Sequence, residues 1–432
     1  MLQPASSTWF SKKWERFQNS GKRGFVKREF TDDQGVTHNY VVYVPFDLPP
    51  ESKPPLILFL HGAGERGTDG TKSLVAGIGP AIWETKRNFP FVVLFPQEPP
   101  ANTAYSQKAF FQNVDQMLDF MIEEYHIDPD RISVTGISRG GDQSWSIVDA
   151  HPERFAATVP ISASCEPELM KRVVQTQTPV WNVYVRGDNT RSGQQYRKLF
   201  QDLLEMGFSP HFTELNGNLS EEWWKHDAWN FTNRCPAVFR WLLAQNRTEN
   251  LNQTKFQTVF PETSPEHWQL PSPAWNLSGG GILNSAGTAS ATEADALFRN
   301  PYRNYELHFE FKIQRGSGCC LKFYKADQND DPGFFKMKIV LPQTGSSSVI
   351  DEPGEQWLTD SDNLAQHALL PDDWNDLRIK VDYSGMKVLL NGWELFSLSP
   401  VQTQELNGTL SLGLPEAAGS VEWRYFRIRE LE

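Results

Sequence analysis

The segment DRISVTGISRGGDQSWS holds a serine between two glycines, Gly136-Ile137-Ser138-Arg139-Gly140, directly after the apolar run 132–135. A G-x-S-x-G spacing suits a sharp turn from strand to helix that presents a serine hydroxyl for attack on a carbonyl carbon. The pattern alone is weak, because glycine is common. Its weight comes from the strand before it and the amphipathic stretch after it. Gly136 and Gly140 are expected to be small because strand and helix approach closely there, and Gly141 to serve the same end. A serine nucleophile also needs donors for the developing oxyanion, a base, and an acid that orients the base. The run LILFL leads straight into His61-Gly62-Ala63-Gly64-Glu65-Arg66-Gly67. The main-chain N–H groups of Ala63 and Arg139 are therefore the expected oxyanion donors, with His61 in a structural, loop-fixing role. In the chain order serine, acid, histidine, Asp188 follows the run PVWNVYV, and His226 lies beyond HFTEL in EEWWKHDAWN. Nine histidines are present, so position selects His226 as the base and Asp188 as the acceptor of its Nδ1–H. Asp227 is better placed to hold the loop. Trp223 and Trp224 are candidates for the wall of a substrate pocket, with simple packing as the alternative. Trp229 reads as a core anchor.

The elements that must position these residues have two rhythms. Up to about residue 245, a hairpin (GFVKREF, a turn at Asp32–Gly35, HNYVVYV) is followed by the apolar runs 56–60, 91–95, 132–135, 157–162 and 180–185. Helical stretches are expected near 107–125, 139–150, 192–206 and 233–245. Continuous apolar strands separated by helices imply an α/β unit whose mostly parallel sheet is covered on both faces. Residues 246–264 are polar and Pro-rich and read as a linker. From 265 to 432 strands dominate, among them YELHFEFKI, CCLKFYK, FFKMKIVL, WNDLRIKVDY and VEWRYFRIRE, with a tight-turn signal at Asn391–Gly392. That rhythm implies an all-β sandwich or jelly roll.

Composition bounds the function. The chain has 432 residues, 39% of them hydrophobic, and 41 basic against 53 acidic residues give a net charge of −12. With no long basic run, nucleic acid and an anionic membrane surface are not expected partners. No apolar stretch is long enough for a membrane-spanning helix. The start, MLQPASSTWFSKKWERF, has no apolar core of a signal peptide. The 4 cysteines are too few for a disulfide scaffold and form no CxxC pair. Cys319 and Cys320 read as packed free thiols, and a Cys165–Cys235 bridge stays open. The oligomeric state is not legible. Asp327, Asn329 and Asp331 have calcium-loop spacing, but Pro332 and Lys338 stand where glycine and a bidentate glutamate are required, so a solvated loop is expected.

The blocks LFLHGAGERG, DRISVTGISRGG, PERFAATVPIS, PVWNVYVRGD and HDAWN…FRWLLAQNR, in this order over residues 25–247, resemble the α/β-hydrolases of the polyhydroxybutyrate-depolymerase and feruloyl-esterase group, in the branch labelled "predicted peptidase". The resemblance implies a serine carboxylesterase with a Ser138–His226–Asp188 triad, an acyl-enzyme, and no metal or cofactor. It implies an ester substrate, with acetyl, feruloyl or similar groups carried on a poly- or oligosaccharide. Export to the periplasm or medium is implied by the same company, with any leader outside this sequence and the cytoplasm left open. Two departures bear on the pocket. Arg139 stands where the family often has a small or Met-like residue, and Tyr184-Val185 where it often has His-Gly.

Residues 265–432 resemble the concanavalin-like jelly roll of the 3-keto-disaccharide hydrolase domain family, through strand rhythm and WN…NG…VE landmarks. This implies glycan contact, a shaping of the active-site rim, or a second hydrolase site. Trp357 is a better candidate for sugar stacking than Trp374, which reads as core. Three other readings remain: a glycan-binding protein with an inactive hydrolase half, a peptidase, and a glycosidase acting through the sandwich.

Overall fold

The computed structural model describes residues 23–188 except 50, 86–88 and 102–105. It further describes 198, 200, 202–203, 206, 208, 210–215, 226–251, 256–261, 264–270, 275–278, 282–285, 295–299, 302–314, 317–325, 334–341, 348–352, 356–357, 372–391, 393–398, 406–413 and 421–431. The chain divides into two compact units. One comprises 1–203, 210–212 and 220–252, and the other 204–209, 213–219 and 253–432.

An eight-stranded sheet, all but the end of its last strand in the first unit, organises that unit. Its strands are β1 (Gly24–Thr31), β2 (Thr37–Val44), β3 (Leu56–Leu60), β4 (Val92–Phe95), β5 (Ile132–Ile137), β6 (Ala157–Ile161), β7 (Trp181–Val185) and β8 (His211–Leu215). The spatial order is β1-β2-β4-β3-β5-β6-β7-β8. β1 and β2 form the expected antiparallel hairpin, and β4, β3, β5, β6 and β7 run parallel. Every residue of LILFL is buried, because helices cover both faces and neither face of a central parallel strand meets water. This mixed, mostly parallel sheet with a serine at the β5–helix turn is an α/β-hydrolase fold.

Helices Gln107–Tyr125 and Arg139–Ala150 lie where the sequence places them. The first starts at Ser106, whose hydroxyl accepts the Ala109 N–H at 3.1 Å, and ends at His126 with φ +52°, the left-handed C-terminal conformation. Helices Ile78–Thr85 and Pro167–Gln175 were not anticipated. Gly79-Pro80 and Pro167 resemble breaks, but each proline sits in a first turn, where no intrahelical N–H is required. Within the stretch read as a linker, Arg247–Leu251 is helical and Gln257–Thr258 pairs with the last strand. The expected helix at 192–206 falls mostly outside the described residues.

The second unit consists of two antiparallel sheets, one of seven strands and one of eight. In the larger, Tyr305–Ile313 lies between Trp374–Asp382 and Val421–Glu430. In the other, Ser317–Lys325 lies between Phe334–Leu341 and Leu406–Gly413. Their apolar faces share one core, to which Phe309, Phe311, Ile379, Trp423 and Phe426 contribute from one sheet and Leu321, Met337, Ile339 and Leu412 from the other. This is an all-β sandwich of the jelly-roll kind. Leu390 pairs with Trp393 across a two-residue turn, and Asn391 takes φ +47° there, as the Asn-Gly pair requires.

The alternation of Tyr305–Ile313 hides a second finding. Glu306, His308 and Glu310 point away from that core yet are themselves buried. They are paired: Glu310 with Arg424 at 2.6 Å, Glu306 with Arg429 at 2.9 Å, and His308 with Asp376. Burial pushes the Glu310 carboxyl above its ordinary range against the pull of Arg424. None of the four cysteines is in a disulfide, so Cys165 and Cys235 are not bridged.

Candidate active site

Ser138 follows β5 and caps helix Arg139–Ala150 with φ +52° and ψ −116°. A non-glycine residue rarely holds that conformation, and doing so costs of order 1–3 kcal/mol. Neighbouring contacts impose it. The Ser138 N–H donates to Ile161 O at 2.9 Å, and its carbonyl accepts from Asp142 N at 3.0 Å. The flanking glycines are small for the expected reason. A Cβ on Gly136 would lie 2.2 Å from Gly140 O, one on Gly140 2.0 Å from Leu60 O, and one on Gly141 2.8 Å from Ala163 Cβ.

The three residues selected as nucleophile, base and acid form one hydrogen-bonded chain. Ser138 Oγ and His226 Nε2 are 2.9 Å apart, and His226 Nδ1 and Asp188 Oδ2 2.6 Å. The Asp188 side chain is 1% exposed and that of His226 14%. The acid is thus shielded from water while the base keeps an accessible edge. Asp188 stands three residues past β7, after Gly187 turns the chain with φ +79°. Its N–H donates to Val185 O at 3.2 Å.

What holds the histidine is less visible in sequence. Ser162, at the end of β6 with φ +48°, donates its hydroxyl to His226 O at 2.7 Å and accepts from Ala228 N at 3.4 Å. Asp227 accepts from Asn230 N at 3.0 Å and Nδ2 at 2.5 Å, holding the loop as expected. Trp229 is not a core anchor: it is only partly buried, and its ring stands edge-on to His226 at 5.4 Å. Sequence reasoning missed Ser162. A small polar residue ending a core strand was the available signal.

On the other side of the serine, Ala63 opens the short helical turn Ala63–Glu65 and Arg139 opens the helix after Ser138. First-turn N–H groups lack intrahelical acceptors, so both are available to an incoming oxygen. His61 is buried and structural. Its Nε2 accepts the Glu98 N–H at 2.9 Å, which places the proton on Nδ1, and that group donates to Gly62 O at 2.7 Å. Burial lowers its pKa and keeps the ring neutral. Arg139 directs its guanidinium to Glu98, with Nε–Oε2 at 2.8 Å and Nη2–Oε1 at 2.6 Å. Burial alone would raise the Glu98 carboxyl, but hydrogen bonds from Arg139 and Arg66 outweigh it and hold the group below its usual range.

Trp223, Trp224 and the Asp327–Asp331 loop lie outside the described residues. Trp374 is not core: it is part-exposed, and the Arg424 guanidinium stacks 3.8 Å from its ring centroid. The side chain of Trp357 lies outside the described residues. Among the described residues, no helix is long and apolar enough to cross a membrane.

Comparison with known proteins agrees with both halves. Residues 105–201 match the prolyl oligopeptidase family, and residues 255–429 match the 3-keto-alpha-glucoside-1,2-lyase-like domain. The chain thus pairs an α/β-hydrolase fold with an all-β sandwich that is similar to that domain. A bifunctional acetylxylan esterase/xylanase of Neocallimastix patriciarum is 23% identical over 278 residues, which is 61% of this chain and 38% of that protein. Poly(3-hydroxyalkanoate) depolymerase C of Paucimonas lemoignei is 27% identical over 132 residues, 28% of this chain and 30% of that protein. The chain thus spans well under half the length of these two curated relatives. A thermostable esterase of known structure is 32% identical, with 52% of this chain and 63% of that one covered and a TM-score of 0.47.

Proposed function

We propose that the first unit is a serine carboxylic ester hydrolase acting on acyl groups carried by carbohydrate. The hydrogen-bonded chain Ser138–His226–Asp188 at a strained strand-to-helix turn carries this reading. His226 Nε2 takes the Ser138 hydroxyl proton as Oγ attacks the ester carbonyl. Asp188 keeps the proton of the ring on Nδ1, so Nε2 presents its lone pair to the Ser138 hydroxyl. The carbonyl oxygen becomes an oxyanion held by the N–H groups of Ala63 and Arg139. Collapse expels the alcohol, which leaves with the proton from His226, and the acyl group stays on Ser138. Water, deprotonated by His226, then releases the acid and restores the serine.

The carbohydrate part draws support from the sandwich, which matches the 3-keto-alpha-glucoside-1,2-lyase-like domain, and from the relative that is an acetylxylan esterase/xylanase. Export accords with such a substrate. The match of residues 105–201 to the prolyl oligopeptidase family favours one rival, amide cleavage by the same three residues. A panel of acetyl, feruloyl and uronate-type esters, with peptide amides beside them, tests both on wild type and Ser138→Ala. Ester turnover abolished by the substitution supports the proposal. Amide turnover alone moves it to a peptidase, and an inert wild type removes it.

A further inference from the structure

Glu98, three residues beyond β4, is 6% exposed, and the sequence offers no chemistry for it. Every polar group it has is engaged on one of two segments. Its N–H donates to His61 Nε2 at 2.9 Å and its carbonyl accepts from Gly67 N at 3.0 Å, so it grips both ends of the loop 61–67. Its carboxylate accepts from Arg66 Nε at 3.1 Å in the same loop, and from Arg139 at 2.8 and 2.6 Å on the opposite side. Arg139 is the residue directly after Ser138. One side chain thus ties the loop bearing Ala63 to the first turn of the helix bearing the Arg139 N–H.

We propose that Glu98 is a positioning residue of the oxyanion hole, tying its two halves together through His61, Arg66 and Arg139. This rests on the assignment of the Ala63 and Arg139 N–H groups as the oxyanion donors. The two donors sit on segments far apart in sequence, so local geometry cannot set their spacing. Oxyanion stabilisation depends on donors placed in advance of the charge they meet, with a tolerance of roughly 0.5 Å. A carboxylate held by two guanidinium groups supplies directional, charge-assisted bonds with little freedom. Neighbouring Gln97 adds to the hold, donating to Glu65 O at 2.9 Å and accepting from Gly70 N at 2.6 Å. The unusual Arg139 thereby acquires a role: its side chain is an anchor rather than a wall of the pocket.

The test compares Glu98→Gln, Arg139→Met and Arg139→Lys with wild type and Ser138→Ala on the best ester of the panel. It also measures binding of a boronate or trifluoromethyl ketone that forms an oxyanion on Ser138. Glu98→Gln keeps the shape and main-chain bonds but turns an amide N–H₂ towards a guanidinium. The expected result is a fall in kcat of about 10- to 100-fold with KM within about threefold, and analogue affinity falling in parallel. Arg139→Lys should recover part of the loss. Arg139, part-exposed at 32% of its side chain, tolerates substitution even if Glu98→Gln fails to fold. A kcat within twofold in Arg139→Met, or a loss confined to KM with analogue affinity unchanged, overturns the proposal. An inert wild type instead brings down the ester reading and this inference with it, whereas an active wild type with unaffected variants brings down this inference alone.

Discussion

Gly140→Ala sets two effects of opposite sign against each other. Alanine in a helix is favoured over glycine by about 1 kcal/mol, and position 140 is the second residue of helix Arg139–Ala150. On that ground alone the variant would be more stable. The added Cβ, however, would lie 2.0 Å from Leu60 O, 2.4 Å from Leu60 C and 2.6 Å from His61 O. All three are backbone atoms at the end of β3, so no side chain can rotate away. Ordinary contact begins near 3.4 Å, so helix and strand must separate by about 1.4 Å. Overpacking of this kind costs about 1–3 kcal/mol and falls at the upper end where only backbone can give. The clash therefore wins, leaving a net loss of about 1–2 kcal/mol and a melting temperature lower by about 2–8 °C. The larger effect is on turnover, because the displaced atoms adjoin the loop carrying Ala63. Misplacement of about 1 Å in catalytic geometry costs about 100-fold. Thermal melting and steady-state ester kinetics on the same preparation read both effects. A variant melting at or above wild type with kcat within threefold would show that the close approach is not what keeps residue 140 a glycine.

Three further outcomes are expected. Asp188→Asn keeps the shape but lets an amide N–H₂ face His226 Nδ1, moving the ring proton to Nε2, so kcat should fall about 10³- to 10⁴-fold with KM little changed; a loss below tenfold argues against the assigned tautomer. Ser162→Ala removes the hydroxyl that donates to His226 O and should lower stability by about 1–2 kcal/mol and kcat several-fold, read by denaturant titration alongside kinetics; unchanged values in both would strip Ser162 of its positioning role. Asp32 accepts first from His38 and then from Val36 N, which holds its pKa at about 2 against an ordinary 3.8. A depressed carboxyl stabilises the fold above its unfolded value, and that contribution disappears as pH falls from about 4 towards 2. Melting curves across that window should show wild type losing its advantage over Asp32→Asn; a constant gap between the two down to pH 2 would contradict the sign.

The site was legible where its chemistry is written in local order. LILFL is a continuous apolar run, and ISVTGI and WNVYV are interrupted only by Ser133, Thr135 and Asn182, because both faces of a parallel sheet are covered, so their place at the centre follows from the residues. Ser138 and Asp188 come shortly after such strands and His226 lies beyond the later strand HFTEL, and the three meet in the structure at hydrogen-bond distance. The helices that escaped, Ile78–Thr85 and Pro167–Gln175, carry prolines in their first turns, whose meaning depends on which residue is the first of the helix. One position either way changes a break into a start.

The sequence by itself thus determined the order of the central strands, the residues proposed to act with Ser138, and the change from an α/β to an all-β rhythm. Each of these depends on neighbours a few residues apart, through side-chain periodicity or a single turn. Tertiary structure alone decided the partners of Glu98, the grip of Ser162 on the histidine, and the stacking of Trp229 and Trp374. It also decided that Glu306, His308 and Glu310 are buried among paired charges, although strict alternation reads as one wet face. Apart from Trp229 beside His226, those arrangements join residues tens of positions apart. A carboxylate, a hydroxyl or an indole is recorded in the sequence only as a capacity to bond, and the packing of distant strands and loops selects which bond is made.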